Sequence, residues 1–105
     1  MLGCRIALGR GKREMVLASP LLGASGALGY SPSAATVEGL DRLGAYVTPA
    51  LTVGPWRGAE EPRLVRTVAG YVLHTGRRNP GVARAARRYA RGWARGGLPV
   101  IAALY

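Results

Sequence analysis

The 105-residue chain has room for one small domain, and 49% hydrophobic against 19% charged residues excludes a disordered one. A single cysteine, Cys4, excludes an internal disulfide and fits a reducing compartment, so a cytoplasmic location is expected. The net charge of +10 would draw phosphates and nucleic acid, but it is carried almost wholly by arginine, with Lys12 the sole lysine. That habit reflects codon composition as readily as partners.

The N-terminus imitates a secretory signal, with Arg5, Arg10, Lys12 and Arg13 ahead of an apolar run from Met15 to Gly29. Glu14 at its border and Pro20 inside it argue against that reading. No apolar stretch reaches the roughly 18–20 residues of a membrane span. Cys4 to Leu8 reads as a short strand, followed by a basic turn over Gly9–Arg13. Met15 to Ala18 is a short apolar run suited to a buried strand, ended by Ser19-Pro20. Leu21-Leu22-Gly23 then approaches a glycine-rich loop over Ala24–Tyr30. Ser33 is placed to cap a short helix carrying Val37, Leu40 and Leu43, with Gly44 as its terminator. Ala45 to Thr48 is the next buried strand, stopped by Pro49.

Thr52 to Pro62 is a loop, and Leu64–Val68 and Gly70–His74 are strand candidates. Asn79-Pro80-Gly81 opens the clearest helix. Its apolar side is Val82, Ala86, Tyr89 and Trp93; its basic side is Arg84, Arg88, Arg91 and Arg95. The second stripe is offset by two residues, about 200° around the axis, so the two lie on opposite faces. Gly96-Gly97 ends the helix, and Val100 to Tyr105 is a further apolar strand. Apolar strands alternating with amphipathic helices predict an α/β fold with a parallel sheet covered on both faces.

Four segments, in order, resemble the dihydroorotate dehydrogenase family. They are Ala24-Ser25-Gly26-Ala27-Leu28-Gly29-Tyr30; Leu43-Gly44-Ala45-Tyr46-Val47-Thr48; the loop from Thr52 through Pro55 and Gly58 to Pro62-Arg63; and Gly76-x-x-Asn79-Pro80-Gly81. Leu98-Pro99-Val100-Ile101 fits the family's third barrel strand. The resemblance implies a TIM (β/α)₈ barrel, of which residues 1–105 would supply about three β/α units, truncated at the third strand. It also implies flavin mononucleotide (FMN) at the strand C-terminal ends, and oxidation of dihydroorotate or a related small molecule with hydride transfer to the flavin, a step of pyrimidine biosynthesis. Residue by residue, Ala24, Ser25, Gly26 and Thr48 fall on cofactor-binding positions, and His74, Gly76 and Asn79 on the substrate side. The family's proton-abstracting residue and phosphate loops come after the third strand, so no catalytic residue is assigned and the isolated chain is expected to be inactive.

The departures concern substrate. The family's lysine after the second segment's threonine is Pro49 here. Its substrate-binding asparagine before the fourth segment is Leu73, and the asparagine of its third strand falls near Ala103. These changes imply a divergent branch with another substrate, or a decayed copy. No metal site is expected, because His74 is the one histidine and no CxxC or HExxH occurs. The alternative function is a free-standing basic module for nucleic acid or another polyanion. Against it, Tyr89 and Trp93 lie on the core-facing side, where they cannot stack on bases. The arginine stripe is then a solvated helix face and no specific nucleic acid partner is expected. Arg77-Arg78, just before a helix N-terminus, are the best-placed residues for a phosphate or carboxylate. Nothing in the sequence specifies an oligomeric state.

Overall fold

The computed structural model describes residues 5–105. Cys4, and with it the start of the expected first strand, lies outside the described residues.

The first two strands are β1 (Ile6–Leu8) and β2 (Met15–Leu17), paired antiparallel with Ile6 opposite Leu17 and Leu8 opposite Met15. A 3₁₀ turn at Gly11–Arg13 joins them, and the Glu14 amide closes it on the Gly11 carbonyl at 3.1 Å. Gly9, at φ +89°, makes the bend. The Met15 run is therefore a hairpin strand and not a member of the parallel sheet. A short turn permits antiparallel pairing without a crossover, and that local solution wins. Leu17 alone of this run's large side chains reaches the core, at 2% exposure, while Val16 is exposed.

The central sheet is parallel: β3 (Leu22–Gly23), β4 (Ala45–Val47) and β7 (Val100–Ile101), with β4 in the middle. Leu22 pairs with Ala45, and Tyr46 pairs with Val100. The expected six-residue last strand is shortened to two residues. Its partner Pro49 has no amide to donate, and the ladder resumes only at the Leu51–Leu104 bridge. There the Leu51 amide bonds the Ala103 carbonyl and the Tyr105 amide bonds the Leu51 carbonyl, each at 2.9 Å.

The helix expected from Ser33 does not form. Ser33 and Thr36 join their hydroxyls at 3.2 Å, and the Ser33 carbonyl accepts the Thr36 and Val37 amides in a single turn. Gly39 then takes φ +76° and ends any propagation, leaving a 3₁₀ turn at Leu40–Arg42. Gly44 is not a helix terminator either. A Cβ there would collide with the Ser19 carbonyl, so the glycine serves close packing of the crossover under β2.

Between β4 and β7 come an antiparallel hairpin and the one α-helix among the described residues. The hairpin, β5 (Leu64–Thr67) and β6 (Gly70–Leu73), matches the two strand candidates and is exposed throughout. Helix α1 (Val82–Arg95) begins and ends as the glycines predict. Its inward stripe is buried Ala85 with half-buried Tyr89 and Trp93, four residues apart; Ala86 and Val82 are exposed. Two aromatic anchors set this rotation. Tyr89 stacks on Tyr30 with centroids 5.2 Å apart, and the Trp93 indole N–H donates to the Tyr30 carbonyl at 2.7 Å. The arginine stripe is exposed, as expected. Large apolar side chains buried in the core come from Leu17, Tyr46 and Leu51, with Ala45 and Ala85 filling the close approaches. The described residues thus form a mixed α/β fold built on a three-stranded parallel sheet.

Candidate active-site edge

Parallel strands end on one side, so the segments after β3, β4 and β7 converge on a single sheet edge. After β3, Ala24–Ala27 makes a tight turn, with the Ala27 amide on the Ala24 carbonyl at 3.1 Å. Gly26 holds φ +81° there, and nothing lies within 4 Å of where its Cβ would be. Gly29 is equally open at φ +72°. After β4, Thr48 is fully buried. The Ser25 hydroxyl donates to the Thr48 carbonyl at 2.8 Å, which joins these two segments across the edge. The Thr48 hydroxyl donates to the Pro49 carbonyl at 3.0 Å and accepts the Ala103 amide at 3.2 Å. Thr48 therefore ties all three strand ends together, while Ala24, Ser25 and Gly26 remain exposed above it.

The loop over residues 74–79 reaches the same region by another route. Asn79 is buried, and its side-chain carbonyl accepts the Thr52 amide at 3.1 Å, the Thr52 hydroxyl at 3.1 Å and the Gly81 amide at 2.9 Å. Its amide nitrogen donates to the Arg77 carbonyl at 2.9 Å. Thr52 adjoins Leu51, which is laddered to residues 103–105, so Asn79 fastens its loop to the strand ends. Arg77, at φ +64°, lays its guanidinium 4.5 Å from the centroid of the Tyr105 ring. Gly76 adopts φ +61°, where a Cβ would strike the Ala59 backbone. His74 is exposed, and its backbone amide bonds the Arg63 carbonyl at 2.8 Å.

The structure thus brings Ser25 and Thr48 into direct contact and links Asn79 to the same edge through Thr52. The His74 ring stands outside this hydrogen-bond network. Reading the sequence missed the hub role of Asn79. The signal was present in Asn-Pro-Gly, because an asparagine two residues before a free amide closes an Asx turn. It also missed the Tyr30 carbonyl, which accepts both the Trp93 indole and, at 3.2 Å, the Tyr46 hydroxyl. Burial, with a smaller push from Tyr89, raises the pKa of Tyr30; burial also raises that of Tyr46, partly offset by the nearby Trp93 indole. The Tyr30 hydroxyl is buried with no hydrogen-bond partner.

Two concavities flank this region, neither lined by Ser25 or Thr48. One, of about 240 Å³, runs between the Ser31–Ala34 turn and the end of α1. The other, of about 480 Å³, opens between the Pro55–Arg57 loop and the start of α1. Among the described residues no group of three His, Cys, Asp or Glu could hold a metal ion, and no helix is long and apolar enough to cross a membrane.

Comparison with known proteins places residues 13–103 on the sequence model of the dihydroorotate dehydrogenase family. The chain is 36% identical over 90 residues to the dihydroorotate dehydrogenase B (NAD(+)) catalytic subunit of Desulforudis audaxviator, covering 86% of this chain and 29% of that one. It is 36% identical over 69 residues to the dihydroorotate dehydrogenase A (fumarate) of Limosilactobacillus reuteri, covering 66% and 22%. A third relative, the dihydroorotate dehydrogenase B (NAD(+)) catalytic subunit of Trichlorobacter lovleyi, is 35% identical over 69 residues, covering 66% and 23%. The chain therefore spans less than a third of the length of each of these relatives.

Proposed function

The chain belongs to the dihydroorotate dehydrogenase family, and from that membership we propose that it is the N-terminal β/α portion of a flavin-dependent (β/α)₈ barrel oxidoreductase. The single observation that carries the reading is the convergence of Ser25, Thr48 and Ala103 at one parallel-sheet edge. Barrel enzymes build their sites at such strand ends, from loops that follow different strands. β7 is an edge strand of the parallel sheet, and in a (β/α)₈ barrel such an edge pairs with a further strand.

The residues at the edge fit FMN. The glycines at 26 and 29 leave space that a side chain would fill, so backbone can approach a flat ring. Ala24, Ser25 and Gly26 would hold the ring edge through main-chain groups and the Ser25 hydroxyl. Thr48 is too buried to meet a ligand with its own hydroxyl. It would act beneath Ser25, fixing the turn through its carbonyl. When bound, FMN supplies the hydride acceptor. Gly76 and Arg77 would present backbone to substrate, with Asn79 positioning their loop and exposed His74 beside it.

Substrate recognition is where this chain diverges. Pro49 has neither charge nor N–H, and Leu73 and Ala103 offer no polar side chain where the family presents asparagine. Each lost hydrogen bond to a charged group costs about 1.5–3 kcal/mol, so a polar acid such as dihydroorotate should bind poorly. We propose a related small molecule as the substrate of this branch.

A chimera tests both halves. Residues 13–103 would replace the matching segment of the Desulforudis audaxviator relative. The expected result is a protein that retains flavin but is bleached very slowly by dihydroorotate under anaerobic conditions. A soluble, folded chimera without flavin would refute the cofactor site. Rapid bleaching would refute the substrate divergence.

A further inference from the structure

The wider of the two concavities borders the strand-end site at Asn79 but is lined by none of Ala24, Ser25, Gly26 or Thr48. At about 480 Å³ it is within the range of small-ligand pockets. Its lining includes Trp56, Arg57, Arg78, Arg84 and Arg88, with Tyr30 and Asn79. Arg84 and Arg88 are four residues apart on α1, so they project from one face of the helix. Trp56 cannot drift, because its amide and carbonyl are both bonded to Asn79 at 3.0 Å. The residue is nevertheless 59% exposed.

Three features single this cleft out. Four guanidinium groups surround one hollow, and the ion pair recorded among the described residues is Arg63–Glu61, which uses none of them. Like charges gathered around a concavity repel one another and focus a positive potential into it, an arrangement that an anion relieves. Guanidinium forks match phosphate oxygens in geometry. Beside them stands a large exposed aromatic side chain on a backbone anchored to Asn79, which suits stacking of a flat ring. Tyr30, which also lines the cleft, has a buried hydroxyl with no hydrogen-bond partner.

We propose that this cleft binds a nucleoside phosphate, with the phosphate held by Arg57, Arg78, Arg84 and Arg88 and the base stacked on Trp56. The cleft shares Asn79 with the strand-end network, but the residues proposed to hold the nucleotide are not those proposed to hold flavin.

The full 105-residue chain is titrated with AMP, inorganic phosphate and adenosine, by calorimetry and by tryptophan fluorescence. AMP should bind saturably with one-to-one stoichiometry, and phosphate or adenosine at least about tenfold more weakly. The double variant R84S/R88S should lose about tenfold or more in AMP affinity. The control R91S/R95S removes the same charge from the same helix outside the cleft and should bind as the parent does. W56A should weaken AMP but leave phosphate unchanged. Each variant changes exposed side chains, and far-ultraviolet circular dichroism verifies the fold. No saturable AMP binding, or equal weakening by the two double-arginine variants, overturns the proposal. The second outcome would mean diffuse attraction to a basic surface. Neither outcome bears on flavin retention in the chimera, so the two readings fail separately.

Discussion

Replacing Asn79 tests whether one side chain holds the loop over residues 74–81 to the sheet. In Asn79→Ala, the Thr52 and Gly81 amides both lose their acceptor, as does the Asn79 side-chain bond to the Arg77 carbonyl. The Thr52 hydroxyl loses little, because it also donates to the Gly54 carbonyl. Gly81 is buried and Thr52 is half-buried, so water can reach one orphaned amide better than the other. An unsatisfied buried donor costs about 1–3 kcal/mol, which puts the expected loss at about 2–4 kcal/mol. That is a large part of the roughly 5–15 kcal/mol available to a small domain. Asn79→Asp keeps the acceptor bonds but sets a carboxylate oxygen against the Arg77 carbonyl at a buried site, so it should also destabilise, by about 1–3 kcal/mol, while leaving the Thr52 and Gly81 amides bonded. Urea unfolding followed by circular dichroism at 222 nm measures both, with the midpoint shifting at constant slope. Hydrogen exchange adds a local readout: the Thr52 and Gly81 amides should lose protection in the alanine variant and keep it in the aspartate variant. An alanine variant within about 0.5 kcal/mol of the parent, with those amides still protected, would refute the hub.

Three further outcomes follow from the packing. Trp93→Phe and Tyr46→Phe should each cost about 1 kcal/mol, since either leaves the Tyr30 carbonyl one donor; the double variant alone orphans it, so urea unfolding should show a loss exceeding the sum of the two. Burial raises the pKa of Tyr30 and Tyr46 above the ordinary value of 10.0, so their contribution to stability is full below pH 10 and is lost as pH climbs through the folded values. Tyr30→Phe should flatten that alkaline decline and leave stability at pH 7 unchanged or slightly higher, because it removes a buried hydroxyl that has no partner; a steeper decline in the variant would contradict this. Gly44→Ala should cost at least about 2 kcal/mol, because its Cβ meets the rigid Ser19 carbonyl and not a yielding side chain, and a thermal midpoint within a degree or two of the parent would show that the crossover can shift.

Much of the local structure was legible in the residues. The hairpin over residues 64–73, the strand Ala45–Val47 and both ends of α1 follow from β-branched runs, prolines and glycines acting within a few positions of themselves. The motif residues that carry the family resemblance were legible too, because glycine at 26 and 29 is required by backbone conformation alone. The rest was settled by contacts distant in sequence. The run at Met15 could enter a parallel sheet or pair with its neighbour, and only the geometry of the Gly9–Arg13 turn decided for the neighbour. The apolar pattern of α1 allowed either Ala85 or Ala86 to face inward; the stack with Tyr30, far back in the chain, chose Ala85. Ser33 carried the signature of a helix cap, but its bond to Thr36 and the positive φ of Gly39 made a turn instead. Periodicity specifies that a face exists, and its partner specifies which residues occupy it. For the same reason the sequence could name Ser25, Thr48 and Asn79 one by one, whereas their hydrogen bonds, and the meeting of Trp56 with four arginines around one cleft, exist only once the chain has folded back on itself.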